Sequence, residues 1–250
     1  MVLDIQKASM WKRISAYLLD GILLVTFIVI VAWALSVAFG YNEHSTQFNQ
    51  IRSEYEEKYG VDFDADYDSL TEQQKNDVEA AYEKFSFNED AQYAYSMMIV
   101  LALTIVSLSI LIGYLVLEFI IPLIFKNGQT IGKKMFGIAL MRADGVRIIA
   151  PAMFIRSIIG KCIIETMVPI FILVMIFFGS AGVVGIVSII LIALLQIILI
   201  AATKTRSAIH DLLAYSVSID LLSQQIFDTP EDLVEYKKKL HAEDSLHKEW

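Results

Sequence analysis

The chain has 250 residues, of which 56 % are hydrophobic, and its formal net charge is −8. The apolar residues fall in four blocks, each long enough to cross ~30 Å of hydrocarbon, which takes about 20 residues of helix. That pattern excludes an ordinary soluble domain, and unbroken runs such as Val183 to Ile200 exclude the alternation of a membrane β-barrel.

Residues 1–39 comprise an N-terminal segment and a first span, placed at 14–39. The run Trp11-Lys12-Arg13-Ile14-Ser15-Ala16-Tyr17-Leu18-Leu19-Asp20-Gly21 puts ionisable groups at or inside its start. Such groups cost roughly 2.5–3.5 kcal/mol each at a helix centre in the membrane, so each is expected to have a partner or a task. Ser36-Val37-Ala38 has the form of a signal-peptide cleavage site. The apolar run is far longer than the about 7–15 residues of a signal peptide, however, and Asp20 sits near its start, so an uncleaved anchor is expected.

An acidic loop covers 40–93. Between Gly40 and Gln92 fourteen Asp and Glu residues face only Arg52, Lys58, Lys75 and Lys84, so the acidity of the chain is local to this segment. Helices are predicted over Asn49 to Tyr59 and after Ser69-Leu70-Thr71-Glu72, which has the form of a capping box. Val78, Tyr82 and Phe85 continue at helical spacing. The run Asp62 to Asp68 resembles a calcium loop but places Tyr67 where Gly is required and Gln73 where Glu is required. A solvated acidic turn fits it better.

The second span, 94–121, carries Thr104, Ser107, Tyr114 and Glu118 on one stripe. The segment 122–151 follows. Gly128-Gln129-Thr130-Ile131-Gly132-Lys133-Lys134-Met135-Phe136-Gly137 mixes basic and apolar residues and is expected to lie along the membrane interface. Its glycine spacing and Lys134 rule out a phosphate loop. Asp144-Gly145 between two apolar runs predicts a hairpin, with Tyr215 to Leu221 as a third strand that joins it.

The third span, 152–178, carries Arg156, Lys161 and Glu165, with Lys161 and Glu165 spaced to pair within their helix. It also holds the single cysteine, Cys162, and no Cys/His cluster suggests a zinc site. The fourth span, 182–202, has Gln196 as its strongly polar residue, expected to hydrogen-bond across helices. Residues 203–250 form the C-terminal segment, whose end from Phe227 reads as a short surface helix or a partly disordered tail. The spans show no inverted repeat.

Lys and Arg collect at the N-terminus (Lys7, Lys12, Arg13), between spans two and three (Lys126, Lys133, Lys134, Arg142, Arg147), and after span four (Lys204, Arg206). The positive-inside rule then puts both termini in the cytoplasm and the acidic loop outside. The expected architecture is an all-α polytopic membrane protein of four transmembrane helices, with a small cytoplasmic β-hairpin and an extracytoplasmic helical loop.

Three stretches together resemble the RDD family of bacterial integral membrane proteins, called after one arginine and two aspartates. They are Arg13 to Gly21, then Gly128 to Gly137 with the Asp144-Gly145 hairpin and Phe154-Ile155-Arg156-Ser157, then Arg206-Ser207-Ala208-Ile209-His210-Asp211-Leu212-Leu213-Ala214. The resemblance implies that Arg13, Asp20 and Asp211 are the signature residues. It also implies a bacterial plasma-membrane location and movement of some ligand, sodium/proton exchange having been attributed to some members.

Arg13, Tyr17 and Asp20 share a helix face, but Arg13 and Asp20 lie about 10 Å apart along it, too far to pair directly. Arg13 reads either as an anchor reaching the headgroups or as part of a site. Asp20 reads either as the partner of a cation such as Arg156 or as a proton or cation site. Arg156 is available to Asp20 or Glu118, and Asp211 to Arg206, Arg13 or backbone amides. His210 is a candidate pH sensor. Every span thus sends polar groups inward, and a buried network of Arg13, Tyr17, Asp20, Tyr114, Glu118, Arg156, Lys161, Glu165, Gln196, His210 and Asp211 is expected, as scaffold or as path. The function this suggests is proton-coupled movement of a cation or small solute, by an oligomer of the chain. The alternative is a non-catalytic adaptor that binds a membrane protein partner through its loop or inner face. No enzyme motif, cofactor, resident metal or nucleic-acid partner is expected.

Overall fold

The structure, a computed structural model, describes residues 5–203 and 205–248. Four helices are long and apolar enough to cross a membrane: α1 (Met10–Ala38), α4 (Glu89–Ile124), α6 (Ala150–Phe177) and α7 (Gly182–Ala202). Between the first two lie α2 (Tyr41–Tyr59) and α3 (Glu72–Ser86). Between α4 and α6 lie α5 (Ile131–Met135) and β1 (Ile138–Arg142), and after α7 come α8 (Ile209–Leu213), β2 (Ser216–Asp220) and α9 (Pro230–Lys248). Apolar side chains such as Val183, Leu191 and Ile197 point outward along α7, as a helix solvated by lipid requires. The chain is an integral membrane protein of four helical spans with a small two-stranded sheet. Lys204, one of the residues in the charge argument, lies outside the described residues.

Two compact units divide the chain: Met1–Ile28 with Ile110–Trp250, and Val29–Ser109. In the second, α2 starts at Tyr41, earlier than its sequence signal, directly after Gly40. The cap of α3 is Thr71, whose Oγ1 accepts from Gln74 N while Gln74 Oε1 accepts from Thr71 N, so the capping box begins two residues later than Ser69. Ser69 instead ends a short turn over Tyr67–Ser69. Asn88 Oδ1 accepts from Ala91 N at 2.8 Å, and Glu89 and Asp90 fill the first turn of α4, where the helix dipole favours acids. This moves the start of α4 to Glu89, ahead of its apolar run. The rings of Phe48, Tyr55, Phe63 and Tyr82 gather around Phe85. In the acidic turn, Asp62 Oδ1 accepts from Asp64 N at 2.8 Å and Arg52 pairs with Asp64 at 2.7 Å.

In the first unit, β1 pairs antiparallel with β2, from Ile138 opposite Asp220 to Arg142 opposite Ser216. The Asp144-Gly145 turn forms, with Arg142 N donating to Val146 O at 2.8 Å. Its return arm adds only the bridge of Met141 with Arg147. The expected hairpin is therefore a turn, and the true partner of β1 is the distant β2. The arm is cut short because Val146 packs with Phe227 and Leu233, and Pro151 opens α6. Ala139 and Met141 pack with Val217 and Ile219 on one face of the sheet, while Ile138 and Leu140 enter clusters with Ala16 and Met153. Two strands alone are marginal, and this helical cover stabilises them.

Two stretches within the spans wind more widely, with i→i+5 hydrogen bonding: Tyr114–Ile120 of α4 and Ile155–Met167 of α6. Such winding is rare and clusters at functional sites. The segment around α5 is tied into the fold on one side and leaves Lys134 and Met135 exposed on the other. Gln129 and Thr130 are buried, Gln129 Nε2 donates to Ile138 O at 2.8 Å, and Leu140 N donates to Asn127 O at 3.0 Å.

Candidate functional site within the spans

All of the network residues named from the sequence line one cavity of about 460 Å³ in the first unit. The pairings inside it differ from those that spacing suggested.

Arg156 is 2 % exposed, and its Nε and Nη2 donate to Asp211 Oδ1 at 3.0 and 2.8 Å. It is committed to Asp211 and not to Asp20 or Glu118. The contact depends on Gly160, where an added Cβ would come within 2.6 Å of His210 Cβ. The bare backbone there lets α8 close onto α6 and deliver Asp211. Ser216 Oγ also donates to Asp211 Oδ1 at 3.3 Å. Burial alone would raise the Asp211 carboxyl, but the Arg156 guanidinium, with help from His210 and Arg13, holds it well below the usual carboxylate range.

Arg13 donates from Nη1 to Arg206 O at 2.9 Å and from Nη2 to Ser218 O at 2.7 Å. It neither pairs with a carboxylate nor reaches outward as an anchor; it ties α1 to the segment before α8 and to β2. Asp20 receives Thr130 Oγ1 and, at 2.7 Å, Gly132 N. It meets a hydroxyl and an amide in place of the expected cation. An added Cβ at Gly132 would lie 2.5 Å from Ala16 O and 2.9 Å from Asp20, so this glycine allows α5 to reach α1.

Lys161 Nζ donates to Glu118 Oε2 at 2.7 Å, so it pairs across helices and not with Glu165 four residues on. Arg156, Lys161 and Thr166, all within the i→i+5 winding, each line the cavity. Thr166 Oγ1 meets Tyr114 OH at 2.8 Å, and Ser157 Oγ donates to Glu118 O at 2.6 Å. Glu165 faces α8: its Oε1 accepts from His210 N at 3.0 Å, and His210 Nδ1 lies 2.9 and 2.8 Å from its two oxygens. A carboxylate only accepts, so Nδ1 carries the ring proton. Burial is the main cause that lowers the His210 pKa from its ordinary value, with Arg156 and Lys161 acting in the same sense. Gln196 Oε1 accepts from Ile209 N at 3.1 Å, anchoring α8 to α7. Tyr17 lines the cavity while 71 % exposed.

Lys133 was not among the residues expected here. It is 8 % exposed, and its Nζ reaches Thr130 Oγ1 at 3.3 Å. Burial, reinforced by Lys161 and Arg156 and opposed by Glu118 and Asp20, pushes its amine down to about 7. The sequence signal was Thr130, a cap-forming residue three positions before a lysine whose neighbours Ile131 and Met135 are apolar.

The chain matches the model of the RDD family over residues 7–215. No curated protein and no solved structure matches it.

Proposed function

Since the chain belongs to the RDD family, we propose that it moves a small polar solute or a cation across the bilayer, coupled to a proton. The observation that carries this reading is the charged cavity of about 460 Å³ lined by residues of all four spans. Its size falls in the range of roughly 300–1,000 Å³ typical of ligand pockets. Glu118 is the carboxylate whose neutralisation would change the cavity most: it would release Lys161, with which it pairs across helices, and charge in the cavity would then change with occupancy. Asp20 is a second carrier, because its protonation weakens the cap on α5. A solute with acceptor groups fits better than a bare cation, since each cavity carboxylate is already engaged. In this reading the chain is not an enzyme, works as a homo-oligomer in a bacterial plasma membrane, and keeps both termini and the basic segments in the cytoplasm.

The test is flux in proteoliposomes holding a pH dye, with sodium, lithium, potassium, calcium, phosphate and succinate added in turn. The expected result is a solute-dependent pH change that is lost in Glu118→Gln. The double variant Glu118→Gln/Lys161→Met, which strands no buried charge, controls for folding. Flux that survives in both variants, and in Asp20→Asn, would overturn proton coupling through these carboxylates.

A second reading, a non-catalytic adaptor, is favoured by one feature of the loop unit: it exposes Phe87 at 73 % and, from its aromatic cluster, Tyr82 at 57 %. It predicts that deleting 45–90 abolishes cross-linking to a membrane protein partner and spares the fold of the remainder.

A further inference from the structure

Each carboxylate of the cavity is already engaged, and its donors are in surplus. Asp211 is taken by Arg156, Glu118 by Lys161, Glu165 by His210, and Asp20 by Thr130 and Gly132. Among the described lining residues, the cations Arg13, Lys133, Arg156, Lys161 and Arg206 outnumber these four carboxylates. Arg156 Nη1 and Arg13 Nε are buried and meet no acceptor among the described residues. A buried guanidinium N–H without an acceptor is costly, and native proteins resolve such cases with a water or a bound ion. Two guanidinium groups, each with one nitrogen unpaired, and an amine around one space suit a planar or tetrahedral oxyanion, which takes charge-assisted hydrogen bonds from separate donors.

We infer that the cavity is an oxyanion site, in which a phosphate, sulfate or carboxylate group is held by Arg156 and Arg13 while Lys133 takes up a proton as the anion enters. The inference rests on the solute-chamber reading above and gives that solute its chemistry. The groups facing Lys133 are Asp20 from α1, Glu118 from α4, and Lys161 and Arg156 from α6, with Thr130 on its own segment. Without an anion, burial and the two like charges favour the free amine. An oxyanion adds negative charge and a hydrogen-bond acceptor, so it favours the ammonium form. Anion and proton thus enter together, and by linkage each raises the affinity of the other. The oxyanion is either a free solute or the phosphate of a lipid headgroup, and the two sources separate in the assay.

The experiment is calorimetric titration of the full purified chain in detergent with sodium sulfate, which does not itself titrate near neutrality. Repeating it in two buffers of different ionisation enthalpy counts protons. The expected result is saturable binding with proton uptake at pH 7.5, and an affinity that falls by up to about tenfold per pH unit above neutrality. In Lys133→Met the proton uptake and the pH dependence vanish. In Arg156→Gln/Asp211→Asn, which removes the donor and its partner together, sulfate affinity falls tenfold or more. In nanodiscs, sulfate binding seen in detergent but lost in phosphatidylcholine and phosphatidylglycerol alike, both of which carry a headgroup phosphate, or lost in anionic phosphatidylglycerol alone, assigns the site to a headgroup; binding retained in both assigns it to a free anion. No sulfate binding in detergent or in either nanodisc, or full binding in the Arg156→Gln/Asp211→Asn variant, overturns the inference. Sulfate binding with silent liposomes would remove the transport reading alone, whereas cation-driven flux without sulfate binding would remove the oxyanion site alone.

Discussion

At the residue scale, what distinguishes this chain is how it places charge inside its spans. Arg156 and Asp211 are 2 and 5 % exposed, and removing one partner of such a pair costs about 3–5 kcal/mol, because the other charge is stranded. Asp211→Asn is therefore expected to lower the unfolding midpoint in detergent strongly, while Arg156→Met/Asp211→Leu recovers most of the loss; a double variant no better than the single one would show that the pair itself stabilises. Lys133 gives a pH signature of definite sign. Its native pKa is about 7 against an ordinary 10.5. Between those values the unfolded chain binds a proton that the native chain does not, so stability from this group rises with pH over that window. Below about 7 both states hold the proton and the burial penalty is fully present. The wild-type midpoint is expected to climb between pH 7 and 9.5 relative to Lys133→Met, and parallel curves for the two proteins would refute this.

At the element scale, two close approaches build the site. Gly132 brings α5 against α1, and Gly160 brings α8 against α6. Overpacking of this kind costs typically about 1–3 kcal/mol. Gly160→Ala is expected to lower the unfolding midpoint and weaken the Arg156–Asp211 contact. Gly160→Ala in an Arg156→Met/Asp211→Leu background is expected to cost less, so the two changes are non-additive; strict additivity would separate the glycine from the pair. These approaches also explain what sequence could and could not reveal. The spans were legible because hydropathy is a long-window signal, and Arg13, Asp20, Glu118, Arg156 and Lys161 stood out because charge is rare in such windows. Their partners were not legible. Arg156, Lys161 and Thr166 lie in i→i+5 winding, which turns side chains away from the faces that α-helical spacing predicts. The hydroxyl that caps Asp20 lies 110 residues away. The strand that completes β1 was the exception, since the alternation from Tyr215 to Leu221 marked it from beyond two spans, whereas the arm after the nearby Asp-Gly turn adds only a single bridge.

At the scale of the whole molecule, the chain carries two units with opposite chemistry: a charged cavity lined by spans and by the segments that join them in one, and an acidic helical excursion in the other. The second has its own core. Phe85 is 6 % exposed, and its ring lies 5.6 Å from each of the rings of Phe48, Tyr55 and Phe63. Truncating a buried phenylalanine to alanine costs about 3–5 kcal/mol, which is a large share of what a segment of two short helices holds. Phe85→Ala is therefore expected to open the excursion to proteases between Gly60 and Thr71, where no long helix protects the backbone. None of the residues that line the cavity belongs to this unit, so sulfate affinity in the same variant is expected to stay within about twofold of wild type, less than the roughly tenfold that 1.4 kcal/mol of coupling would give. Rapid cleavage with unchanged affinity would establish that the two units are energetically separate. A tenfold loss of affinity alongside cleavage would instead mean that the excursion sets the cavity's occupancy, and the ligand would then have to be sought on both.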